Sequence, residues 1–170
     1  DSCDKERAGV ILGAGSGGIL SVEKYFRDFY EGRKKSSPSL LISYSLATTT
    51  DHIAIESGLK GPRSTTATVC SSSSASMGVA YEMIQMGLAD VMVTGGSDSL
   101  CEVSYSGFSS LKLVDPESRR PFDKSRPGLV IGEGAGILII EELQHALRRG
   151  APIHAEFLGY GICADAYHLT

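Results

Sequence analysis

The sequence contains no CxxC pair; its four cysteines stand far apart at positions 3, 70, 101 and 163. That spacing excludes zinc-ribbon and thioredoxin motifs, and also the dense disulfide framework of a small secreted domain. Reduced thiols in a cytoplasmic compartment are the expectation. The chain also lacks any apolar stretch near the roughly 20 residues that span a bilayer. No basic, apolar leader opens it. Its longest basic run is Arg33-Lys34-Lys35 and its net charge is −4. Neither nucleic acid nor a membrane is therefore an expected partner.

What is present is ordinary globular composition. The 170 residues are 42% hydrophobic and 21% charged, enough for one domain with a real core. The chain opens on Asp1 rather than Met and stops at Thr170, directly after a turn-like segment. A piece of a longer protein is the expectation.

Apolar β-branched runs alternate with helical patterns. Residues 8–14 (AGVILGA) read as a buried strand, followed by a glycine-rich turn. A helix over Val22–Tyr30 comes next, with Val22, Tyr25, Phe26 and Phe29 on one face. Leu46–Ser57 is a weaker helix ended by Gly58, and Ser64–Val69 is strand-like. A longer helix over Ser74–Gly87 leads to a strand at Val91–Thr94 and a turn at Gly95-Gly96. Leu129–Ile131, Gly136–Glu141 and Ile153–Tyr160 are further strands, with a short helix Glu142–Arg149 closed by Gly150. Short buried strands between helices predict a layered α/β sheet.

The chemistry concentrates at Thr65-Thr-Ala-Thr-Val-Cys-Ser-Ser-Ser-Ser-Ala-Ser-Met77. A β-branched strand ends at Val69, Cys70 follows, and a helix of small side chains begins. Thiolate is the reactive form of cysteine. Unpaired N–H groups and the positive end of the dipole at a helix N-terminus stabilise such an anion. A strand-to-helix turn also lifts a nucleophile away from the sheet. The alternative for Cys70 is a small buried hydrophobe. Cys3, Cys101 and Cys163 lack such a junction and read as structural or incidental.

Gly13-Ala-Gly-Ser-Gly-Gly18 satisfies G-x-G-x-x-G between a strand and a helix, the context of an NAD(P)-binding fold. That fold wants a second strand ending in an acid about 20 positions on. Here stand Arg33-Lys-Lys-Ser-Ser-Pro38 and then Leu40–Ile42 without an acid. An esterase elbow, G-x-S-x-G, fails because Ala14 precedes Ser16 by two.

The segment T-x-C-S-S-S resembles the nucleophile segment of the β-ketoacyl (acyl carrier protein) synthases, which condense acyl units in fatty-acid and polyketide assembly. Four further segments resemble that family in order and spacing: Gly58-Leu-Lys-Gly-Pro62, Gly87-Leu-Ala-Asp-Val-Met-Val-Thr-Gly-Gly96, Arg120-Pro-Phe-Asp-Lys124 with Gly132-Glu-Gly-Ala-Gly136, and Gly159-Tyr-Gly-Ile-Cys-Ala-Asp-Ala-Tyr-His168. The resemblance implies a thiolase-like layered α/β fold, a mixed sheet packed on helices. Residues 1–170 would be a single partial domain, about half of the full fold. It implies acyl loading of Cys70, then decarboxylative Claisen condensation with a malonyl thioester. No metal or soluble cofactor is implied, because 4'-phosphopantetheine arrives on acyl carrier protein. A homodimer of the full-length protein is implied as well.

By the same resemblance, Ser16 stands where many members carry a larger apolar gate residue beside the acyl pocket. Phe108 resembles a pocket-wall residue. Val69 replaces the Ala often found before the nucleophile, and Pro127 replaces an acidic residue. The family's catalytic histidines fall downstream of Thr170. None of His52, His145, His154 and His168 matches their motifs, although His168 lies in a motif near the site mouth. His145 and His154 read as surface or sheet-edge residues. The related thiolases differ in the nucleophile segment and lack R-P-F-D as a signature. Homologous chain-length subunits lack the cysteine.

Overall fold

The computed structural model describes residues 3–33, 37–117 and 119–167. A single 3-10 turn, Lys5–Arg7, leads into β1, Ala8–Gly13, all six of whose residues are buried. The helix α1, Ile19–Tyr30, a 3-10 segment Pro38–Tyr44 and α2, Thr48–Ser57, then carry the chain to β2, Arg63–Thr66. A 3-10 turn over Val69–Ser71 opens α3, Ser72–Gln85. The strand β3, Val91–Asp98, α4, Glu102–Ser110, β4, Gly134–Glu141, and α5, Leu143–Arg148, complete the described elements.

The four strands form one mixed sheet in the order β2-β1-β3-β4, parallel except for antiparallel β4. Alternation along β1 sends side chains to both faces. Ile11 packs with Ala80 of α3 and with Ala89 and Met92, while Val10 and Leu12 pack with Ala54 of α2. Helices therefore cover both faces of β1, which explains why its sequence is a continuous apolar run rather than an alternating one. Gly58 ends α2 in the left-handed region at φ 64°, and Gly150 follows α5 at φ 65°.

Several expectations need correction. The two glycines Gly95 and Gly96 form no turn: β3 runs through them to Asp98, paired with Ile137 and Gly136. The strand leading to Cys70 stops at Thr66, and α3 begins two residues earlier than its sequence pattern indicates. Leu129–Ile131 supplies only an isolated bridge, Val114 to Leu129. Residues 153–160 join no strand. Their aromatic side chains pack on α3 instead. The Tyr160 ring lies where a Cβ on Gly78 would stand, and the Tyr81 and Phe157 rings are 5.1 Å apart. The aromatic face of α1 is not core: Phe29 is 61% exposed. Among the described residues no helix is long and apolar enough to cross a membrane.

At the far end from Cys70, α5 is anchored by charge. Arg149 grips both oxygens of Glu141, the first at 2.7 Å and the second at 2.6 Å, and His145 bonds the same carboxylate. His145 is thus a part-buried partner rather than a surface residue, whereas His154 is exposed. The Arg149 bond, more than His145, holds the Glu141 carboxyl below its ordinary range against the opposing effect of burial. Arg7 does the same for Asp90 through a bidentate pair with both bonds at 2.7 Å.

Candidate active site

The C-terminal ends of the parallel strands place the site. Thr66, Gly13, Gly96 and Gly136 lie level across β2, β1, β3 and β4. Two of them, Gly13 and Gly96, make a flat backbone seat there. A Cβ on Gly13 would come within 2.2 Å of the Ser72 carbonyl carbon, and one on Gly96 within 2.8 Å of the Ser73 Cβ. The first turn of α3 rests directly on this seat. Ser76, fully buried one turn on, donates to Gly95 O at 2.6 Å and locks the helix to β3.

Cys70 is exposed, in the 3-10 turn between β2 and α3. The residue before it, Val69, adopts φ 55°. This region is strongly disfavoured for a β-branched side chain, and such strain of order 1–3 kcal/mol persists only where surroundings over-determine it. The surroundings do. Ser72 Oγ accepts the Thr68 N–H at 2.9 Å and donates to Val69 O at 2.6 Å. Ser71 Oγ lies 2.9 Å from both Thr68 O and Thr68 Oγ1, its single hydrogen shared between them, and Thr66 Oγ1 donates to Ser72 O at 2.8 Å. The serine run is thus a hydrogen-bonded brace around Cys70 as well as a source of room. The Ser71 side chain does not cap α3, and the Ser72 N–H donates to Val69 O.

The glycine loop after β1 leaves the sheet beside this turn, where Ala14 N–H donates to Thr66 O at 3.2 Å. Its backbone amides are already occupied. Gly15 N–H reaches both Asp98 oxygens at 3.0 and 2.9 Å, and Ser16 and Gly17 N–H reach Asp98 Oδ1 at 2.6 and 3.2 Å. The nest that a dinucleotide pyrophosphate would need holds a carboxylate of the chain itself. With a 3-10 segment over Pro38–Tyr44 in place of a second strand, the NAD(P) reading of Gly13–Gly18 fails.

Ser16, half-buried, shares a 2.8 Å hydrogen bond between hydroxyls with Ser104 of α4, and the Cys101 thiol donates to Ser104 Oγ at 3.0 Å. Phe108, partly buried, follows one turn later on the same helix face. Glu23 of α1 accepts the Glu102 and Val103 N–H groups at 3.0 and 2.7 Å, which fixes the start of α4. Cys70, Ser16 and Phe108 thus belong to elements gathered at one end of the sheet. Cys3 is partly exposed, Cys101 buried and Cys163 exposed. His168 lies outside the described residues. Asp98 and Ser104 were missed by the sequence reading; an acid closing the apolar Val91–Asp98 run was the available signal.

An exposed cysteine on a strained turn thus stands at the carboxyl ends of the parallel strands in a layered α/β fold. The family description "Beta-ketoacyl synthase, N-terminal domain" matches residues 1–146, and the chain belongs to that family. It is 39% identical over 176 residues to the mitochondrial 3-oxoacyl-(acyl-carrier-protein) synthase of Arabidopsis thaliana, covering 98% of this chain and 38% of that protein. Among solved structures, the ishigamide ketosynthase/chain length factor superposes with a TM-score of 0.86 at 34% identity, covering 95% of this chain and 41% of the other. AntDE:AntF, a type II PKS acyl-carrier protein in complex with its ketosynthase bound to the hexaketide, gives 0.86 at 31% identity, over 98% of this chain and 44% of the other. The chain spans about two fifths of the length of these relatives.

Proposed function

We propose that Cys70 is the acyl-carrying nucleophile of a β-ketoacyl synthase. The Cys70 thiolate attacks the carbonyl of an acyl thioester, and the bond to the phosphopantetheine sulfur breaks as the acyl–Cys70 thioester forms. Malonyl thioester then loses carbon dioxide. The carbanion left behind attacks the acyl carbon, forming the carbon–carbon bond and releasing the Cys70 thiolate. Ser16 and Phe108 line the acyl pocket. The partner is acyl carrier protein, a reading supported by the AntDE:AntF complex. The pantetheine it carries is the only prosthetic group required, and the full-length protein works as a homodimer in the cytoplasm.

The observation that carries this reading is Cys70 held at the mouth of α3 behind a residue forced to φ 55°. Timed iodoacetamide labelling of the full-length protein tests it. Cys163 is exposed as well, so exposure alone does not single out Cys70. Cys70 is expected to react first and to gain an acyl adduct by intact mass from acyl carrier protein thioesters. Faster labelling of Cys3, Cys101 or Cys163 would reject the assignment, as would an adduct that survives Cys70→Ala.

A further inference from the structure

Cys101, Ser104 and Ser16 form a linear chain of polar groups: thiol to hydroxyl at 3.0 Å, hydroxyl to hydroxyl at 2.8 Å. Three hydrogens serve two links, so one hydrogen has no acceptor within the chain. The Cys101 end is buried, 5% exposed. The thiol donates to Ser104, and either hydroxyl can donate in the second link; in the arrangement where Ser104 donates on to Ser16, the remaining hydrogen belongs to the Ser16 hydroxyl. That is the half-buried end, on the loop beside Cys70. The loop cannot easily turn it away, since the Gly15, Ser16 and Gly17 amides are fastened to Asp98. Ser16 is three residues beyond Gly13 and Cys70 two before Ser72, and Gly13 and Ser72 touch. At a little over 3 Å per residue this keeps the hydroxyl within reach of an acyl chain on Cys70.

We propose that Ser16 is a specificity-determining donor: its hydroxyl hydrogen-bonds an oxygen carried on the acyl chain, so that the site prefers oxo- or hydroxyacyl thioesters over saturated ones of equal length. This rests on Cys70 being the acyl-carrying residue. A saturated chain that covers the Ser16 hydroxyl leaves the donor unmatched, which disfavours it, whereas a chain with an oxygen at the right carbon satisfies the donor. Ser104 and Cys101 act through Ser16 as positioning residues that orient its hydrogen.

The test measures Cys70 acylation of the full-length protein by octanoyl thioester and by octanoyl thioesters bearing an oxo or hydroxyl group at carbon 3, 5 or 7. The wild type is expected to load one oxygenated position about 3- to 10-fold faster than octanoyl, the range of one neutral hydrogen bond. Ser16→Ala should remove that preference while still loading octanoyl, which shows the variant folded. Ser16→Thr, keeping the hydroxyl, should retain it. A wild type that favours octanoyl over every oxygenated chain overturns the proposal, as does a preference unchanged in Ser16→Ala. If no thioester loads Cys70 in the wild type, the nucleophile assignment falls, and the proposal with it.

Discussion

Gly13 and Ser72 meet backbone to backbone: a methyl group on Gly13 would stand 2.2 Å from the Ser72 carbonyl carbon. The end of β1 is thus the seat of the helix that presents Cys70. Gly13→Ala should push the first turn of α3 off the sheet. Overpacking against immovable backbone costs about 1–3 kcal/mol or more, and loading of Cys70 should fail with it. Denaturant unfolding and intact-mass acylation would both report this. A stable, fully acylated variant would show that α3 does not depend on this seat.

Val69 offers the opposite experiment. Its side chain is 70% exposed, so little packing is lost on removal, while its φ of 55° is relieved by glycine. Val69→Gly should leave stability unchanged or raise it, despite glycine's usual penalty of about 1 kcal/mol. Cys70 acylation should slow by on the order of 10-fold as the turn loses its fixed geometry. A marked loss of stability would mean that the Val69 side chain contributes packing and that its conformation stores no strain.

Acid should act first through Glu141. Its carboxyl is held below the ordinary range by Arg149, so the folded state binds the proton more weakly than the unfolded state. The resulting stability is present above the unfolded value of about 4.3 and is lost as pH falls through the folded value. Asp90, lowered by Arg7, has the same sign. Glu141→Gln should destabilise the protein by about 1–2 kcal/mol at pH 7, the half-exposed Arg149 limiting the effect. The gap to wild type should narrow progressively as pH falls below the unfolded value of about 4.3 and through the lower folded value. Unfolding midpoints at pH 7 and pH 3.5 check both halves; a gap that stays constant would remove ionisation of Glu141 as the cause.

Elements with a local cause were legible in the sequence. The apolar runs of β1 and β4, the caps at Gly58 and Gly150, and Cys70 at its junction each follow from neighbouring residues. What was not legible depends on distant partners. Gly95 and Gly96 carry a turn signature, yet the approach of Ser73 and Gly136 requires residues without side chains inside a strand. Residues 153–160 have the composition of a strand and find no ladder to join. Asp98 meets the glycine loop across 81 to 83 positions of sequence, and no local pattern encodes that meeting.

The grip of Asp98 on the Gly15–Gly17 amides also decides when the loop loses its freedom. Ordering a residue's backbone costs roughly 1–2 kcal/mol, and glycine has more freedom to lose than any other residue. Because the restraining carboxylate belongs to the chain, that loss occurs once, during folding, and is not repeated at each turnover. Under the proposed function, an incoming acyl group would meet a wall that is already set, and its binding energy would be left for its own alignment with Cys70.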